Sequence, residues 1–177
     1  MIKRVRYFAG QLLGAEDFEA EQRYVIDRFR RLNRWLHGWG VVGGLGVSID
    51  GGEIVVTPGL ALDCMGHEIE VERPTCVALP AGGQARYLIL SFVERPADPQ
   101  PALFEPPGAD EVAVEYRRIE EGAALALAPA DPARVHGKSA RRSDACGRAH
   151  PLAIARIVRV RSRWRVDSRF RPGRARG

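Results

Sequence analysis

The chain has 177 residues, 45% of them hydrophobic, enough for one domain with a packed core or for one domain plus an arm. No apolar run approaches the roughly 18 residues that cross a bilayer, and Met1–Arg6 is not followed by the apolar stretch of a signal peptide, so the expectation is a chain made and kept in the cytoplasm. Three cysteines (Cys64, Cys76, Cys146), odd in number and far apart, exclude a disulfide framework, and the net charge of +5 sits late in the chain rather than in a recognised nucleic-acid fingerprint.

Met1–Gly14 reads as an extended lead-in carrying Tyr7 and Phe8. From Ala15 to His37 the positions Phe18, Gln22, Val25, Phe29, Leu32 and Leu36, apolar but for Gln22, are spaced 4, 3, 4, 3, 4. That is the alternation of a coiled-coil seam, narrower than the stripe of a helix lying on a sheet. Glu16, Asp17, Glu19 and Glu21 come early and Arg28, Arg30, Arg31 and Arg34 late, the order the helix macrodipole favours. The helix is therefore expected to be solvated on most faces and to need a partner for its seam. Gln22 is the polar exception: either it faces water, or it sets register and oligomeric state. Gly38 ends the helix, and Trp39–Val47, with glycines at 40, 43, 44 and 46, turns the chain into strand. Trp35, His37 and Trp39, with Gly40 and Gly44, form this junction; they either pack the arm onto the body or meet a neighbouring subunit.

Beyond the junction the pattern is one of short strands. Val41–Asp50 and Glu53–Thr57 make a hairpin about Gly51-Gly52. Leu60–Asp63 and His67–Glu72 make a second about Cys64-Met65-Gly66, with Glu68, Glu70 and Glu72 on a wet face. Thr75–Leu79 is a short strand and Arg86–Glu94, the most continuous apolar run, a central one. Five prolines between Arg95 and Pro107 predict a loop over 95–110. Asp110–Glu121 alternates as a strand, and Ala123–Leu127 continues it or pairs with it. A polar stretch over 129–150 predicts a second long loop. Strands Leu152–Arg161 and Trp164–Asp167 follow, then an Arg/Gly/Pro tail over 169–177 expected to be mobile in isolation. The expected fold is mainly β, an antiparallel sandwich or small barrel with one long N-terminal amphipathic helix as a coiled-coil-like arm. Its parts are an arm over 1–40, a β domain over 41–168 and the basic tail.

Chemistry finds little purchase in these residues. Cys64-x-x-His67 and Cys146-x-x-x-His150 have spacings near those of zinc ligands, a weak signal that ordinary core and loop residues also satisfy, so neither metal nor cofactor is expected. No nucleophile signature surrounds Ser48, Ser91, Ser139, Cys76 or Cys146, and the paired carboxylates are explained by a helix first turn and a strand's wet face. Gly43-Gly44-x-Gly46 precedes a strand, not a helix, so it is no phosphate cradle. The expectation is that this is not an enzyme. The arginines from Arg156 to Arg176 read as a solvated face, which leaves a binding module for a carbohydrate, an envelope surface or nucleic acid as the alternative reading, with nucleic acid disfavoured.

Three stretches stand together in a recognisable way: Arg6–Phe18 (RYFAGQLLGAEDF), Glu21-Gln22-x-Tyr24, and Leu32–Val47 with Asn33, Arg34, His37-Gly38 and Gly40-Val41-Val42. With Pro58–Asp63, Gly66, Glu68 and Ile69, they resemble a family of small proteins encoded with phage-tail-like contractile injection systems. The resemblance is strong over residues 4–72, fainter over 87–94, 115–121 and 152–157, and absent in the tail. It implies a structural part of the baseplate or fibre-attachment region, not an enzyme, that meets other tail or baseplate subunits; the unmated seam itself adds the expectation of a homo-oligomer, dimer or trimer, or of a helix of another protein as its mate. The resemblance also implies a cytoplasmic location as part of the particle. Members of that family often carry more cysteines before the last strands; only Cys146 stands there in this chain, which weakens any metal carried over from them.

Overall fold

A computed structural model describes residues 3–80, 82, 84, 86–101, 114–133 and 149–176. The chain is mainly β, antiparallel in every named strand pair, with a helix at its N-terminal end. Helix α1 runs Ala15–Leu32 and closes in a π-turn over Asn33–His37, where Gly38 N–H donates to the Asn33 carbonyl at 3.0 Å. Its start is secured by Asp17, whose carboxylate accepts from Gly14 N–H at 3.1 Å. Its end is secured by Gly38 at φ +71°, a conformation that side chains disfavour.

Ten strands follow in the described residues: β1 (Gly40–Gly44), β2 (Val47–Asp50), β3 (Glu53–Val56), β4 (Gly59–Leu62), β5 (Glu68–Val71), β6 (Thr75–Ala78), β7 (Arg86–Pro101), β8 (Val114–Ala128), β9 (Leu152–Val160) and β10 (Arg163–Val166). They form sheets ordered β1-β4-β5, β2-β3-β6 and β10-β9-β7-β8. The two expected hairpins are present as β2–β3 and β4–β5, with Asp50 opposite Glu53 and Leu62 opposite Glu68. The expected strand Val41–Asp50 is two strands in different sheets. Gly44 and Leu45 both have positive φ, at +65° and +56°, and that pair of reversals carries the chain from one sheet to the other. Gly44 also faces Gly59 across β1–β4, where a Cβ on either would collide with the opposing backbone.

The predicted loop over 95–110 needs correction, because β7 continues through Pro96, Pro99 and Pro101 to pair with β8 as far as Val114. Periodicity hid this, since proline is read as a strand breaker. β9 pairs with Arg86–Leu90, so among the described residues the far part of β7 is laddered on one edge, and a proline whose nitrogen faces the other edge costs no ladder bond. Residues 102–110, the first residues of the strand expected from Asp110, and most of the loop expected over 129–150 lie outside the described residues. Ala123–Leu127 continues β8.

The core lies between the sheets. Ile54, Val56, Ile69, Leu88, Leu90 and Ile157 are buried at its centre, with Val41, Leu45, Val71, Leu152 and Ile154 around them. β5 alternates exposed glutamate with buried Ile69 and Val71, the two-residue period of a half-wet strand. The stretch Gly173–Arg176, part of the tail expected to be mobile, lies along β1. Val41 N–H donates to the Gly173 carbonyl at 2.7 Å, Ala175 N–H to Val41 at 3.1 Å and Arg176 N–H to His37 at 2.8 Å. Backbone groups make these bonds, so composition, which reads side chains, does not reveal them.

Candidate functional site

The β4–β5 turn is built around Asp63, the one buried charged residue among those described. Its Oδ1 accepts from Met65 N–H at 2.8 Å and His67 N–H at 2.9 Å, an Asx-type turn, and its Oδ2 lies 2.6 Å from His67 Nδ1. The His67 ring, oriented by that carboxylate, stacks on Phe92 with centroids 4.4 Å apart. The turn so formed receives the end of α1. Asn33 Nδ2 donates to the Gly66 carbonyl and to Glu68 Oε1, each at 3.1 Å, and Arg34 Nη1 donates to the Met65 carbonyl at 3.3 Å. Arg30 sits over the Phe92 ring at 6.0 Å and pairs with Glu94 at 3.2 Å. Gly66, at φ +87°, touches the Arg30 backbone so closely that a Cβ would overlap it.

Because Asp63 is buried, replacing it by alanine leaves two backbone donors and an imidazole without their acceptor. The expected cost is about 2–4 kcal/mol, with Asp63→Asn losing less because one carbonyl oxygen is retained. Urea unfolding of both variants checks this.

The helix is held at its C-terminal end and none of its residues is buried. The seam positions stand open: Phe18 is 55% exposed, Val25 41%, Phe29 58%, Leu32 41% and Leu36 60%, and Gln22 is exposed with them. Ile26, also exposed, adjoins the seam and escaped the heptad count because it falls between its positions. Val25 and Phe29 border a groove of about 210 Å³ whose other wall is Gly66, His67 and Phe92. Phe18, Gln22 and Val25 border a second, of about 350 Å³, with Tyr7. A third, of about 770 Å³, separates α1 from the outer part of the β7–β8 ribbon, where Tyr116 and Ile119 are exposed.

At the junction the residues divide. Trp39 packs against the core and against Gly173, whereas Trp35 is exposed. His37 Nδ1 lies 2.9 Å from the Arg176 carbonyl oxygen, and Gly40, at φ +131°, abuts Gly173. Of the weak metal candidates, Cys64 is buried, His67 is engaged by Asp63, His150 is half-buried and Cys146 lies outside the described residues. Among the described residues no group of three or more His, Cys, Asp or Glu side chains is placed to hold a metal ion. Asp63 and Gly66 were read from the sequence only as parts of a strand and its turn, and neither they nor Phe92 were singled out as residues that receive the helix. The readable signal was an aspartate opening a Gly-containing turn, which is how Asx turns announce themselves.

Fold and site together define an antiparallel β protein that carries an amphipathic helix on which, among the described residues, Phe18, Val25, Phe29 and Leu32 are exposed. Three solved structures, among those similar in fold, come from or bear the names of baseplate components of the type VI secretion system. The baseplate complex from that system matches 97% of this chain with a TM-score of 0.57 at 16% identity. The crystal structure of TssK matches 97% with 0.53 at 13%. A TssK–TssF–TssG baseplate subcomplex matches 97% with 0.54 at 16%. The chain spans 41%, 42% and 62% of the length of those chains respectively. No family model matches the chain, and no curated protein sequence does. No helix among the described residues is long and apolar enough to cross a membrane.

Proposed function

We propose that this chain is a non-catalytic structural subunit of the baseplate or fibre-attachment region of a phage-tail-like contractile injection particle. It assembles through Phe18, Gln22, Val25, Phe29, Leu32 and Leu36 and presents its β domain outward. The observation that carries the reading is the fold shared with baseplate proteins over 97% of the chain, helix included. The exposed seam supports it, because an apolar surface of this kind on a well-folded chain marks a protein contact. Its partners are copies of itself and other baseplate subunits, and its place is the cytoplasm, within the particle. Purification of the particle from cells that express a tagged copy, followed by mass spectrometry, tests this. The chain is expected at a fixed ratio to the sheath and tube subunits; its absence from intact particles overturns the proposal.

A second reading, a module that binds a polyanionic surface, rests on the β9–β10 face. Arg159, Arg161, Arg163 and Arg165 are exposed there, and Asp167, the only carboxylate from Leu152 to Arg176, is already paired with Arg156 at 3.1 Å. On that reading, Arg161, Arg163 and Arg165 changed together to serine lower heparin affinity and flatten its salt dependence by about three counterions, close to one per arginine removed. An unchanged salt slope removes it.

A further inference from the structure

The assembly reading leaves open what covers the seam, and the inference here rests on that reading. We propose that a second copy of the chain covers it, with the two α1 helices antiparallel about a two-fold axis near Asp27. Reversing the helix about that point sets Phe18 opposite Leu36, Gln22 opposite Leu32 and Val25 opposite Phe29, so that Phe18, Val25, Phe29 and Leu36 meet apolar partners and the Gln22 stem packs on Leu32. A parallel pair instead sets Gln22 against Gln22 and Phe29 against Phe29.

Charge points the same way. By net charge the first half of α1 is acidic (Glu16, Asp17, Glu19 and Glu21 against Arg23) and the second half basic (Arg28, Arg30 and Arg31 against Asp27). Asp17, Arg30 and Arg34 are engaged within the chain. Glu16, Glu19, Glu21, Arg28 and Arg31 remain to meet a neighbour; Arg28 makes only a 3.5 Å contact with Tyr24. Parallel pairing stacks like charge on like charge, and antiparallel pairing sets the acidic half of each helix against the basic half of the other. Glu21 lines the groove with Phe18, Gln22 and Val25, and its Oε2 is buried with no hydrogen-bond partner among the described residues. Among the described residues the side-chain hydrogen bonds and ion pair that tie α1 and its π-turn to the β domain fall from Arg30 onward, all C-terminal to Asp27, so a two-fold axis there sets the two β domains on opposite sides of it. The interface is isologous and closes on itself.

Disulfide trapping tests the orientation in a chain whose Cys76 and Cys146 are serine. Gln22→Cys and Leu32→Cys chains, mixed and gently oxidised, are expected to cross-link to each other, with little cross-linking of either chain alone. Self-cross-linking of Gln22→Cys as the dominant product overturns the proposal in favour of a parallel bundle. A solution mass of one chain by light scattering of the unmodified protein also overturns it. The baseplate reading is judged separately, by particle composition, so the two failures are distinguishable. As a second arm, Glu19→Arg/Glu21→Arg and Arg28→Glu/Arg31→Glu chains are each expected to dimerise about tenfold more weakly, and their mixture to regain the dimer; a mixture no tighter than either alone overturns the pairing.

Discussion

A chain carrying Val25→Asp and Phe29→Asp is expected to fold its β domain as before and to lose assembly altogether. Both side chains are substantially exposed in the isolated chain, so aspartate there disturbs no core packing. Helix propensity falls slightly, and the joint at Asn33 and Arg34 lies a turn or more away. In a covered seam the same positions are central. Each large apolar side chain buried there contributes roughly 1.5–3 kcal/mol, and each aspartate adds a charge that the interface must desolvate. The pair together therefore weakens association by at least about 10²- to 10⁴-fold. Light scattering reads the solution mass, and particle purification reads incorporation. A double variant that enters particles at the normal ratio rules out α1 as the assembly element.

Gly66→Ala is expected to act on the other side of the problem, releasing the helix without touching the seam. The residue combines two demands that alanine fails: a φ of +87° and direct contact with the Arg30 backbone. The first costs about 1–2 kcal/mol. The second forces the turn and the helix apart, which strains the two Asn33 hydrogen bonds and the Arg34–Met65 bond, for a total of about 3 kcal/mol or more. Gly51→Ala is the matched control, since Gly51 also has positive φ but nothing within 4 Å of where its Cβ would stand. Thermal unfolding should rank Gly66→Ala far below Gly51→Ala. Trypsin should cut at Arg28 and Arg31 faster in the Gly66 variant, because the helix loses its anchor before the β core opens. Equal melting temperatures for the two variants would show that the joint does not depend on the close contact at Gly66.

These positions, Val25 and Phe29 on the seam and Gly66 under the helix, illustrate what a sequence can and cannot disclose. α1 and its stop at Gly38 were legible, because helix periodicity, charge order and a terminal glycine are local properties written within a few turns. The β2–β3 and β4–β5 hairpins were legible for the same reason, through Gly51-Gly52 and the Gly66 turn. Only the tertiary structure decided that β1 and β2 belong to different sheets, that β7 runs on through three prolines, that the tail lies on β1 and that Asp63 organises the receiving turn. Each of those depends on which strand edges are left open and which backbone groups meet across long separations in the chain. Periodicity carries no record of such meetings, and the sequence alone determined the helix while the packing around Gly66 and Asp63 determined how it is carried.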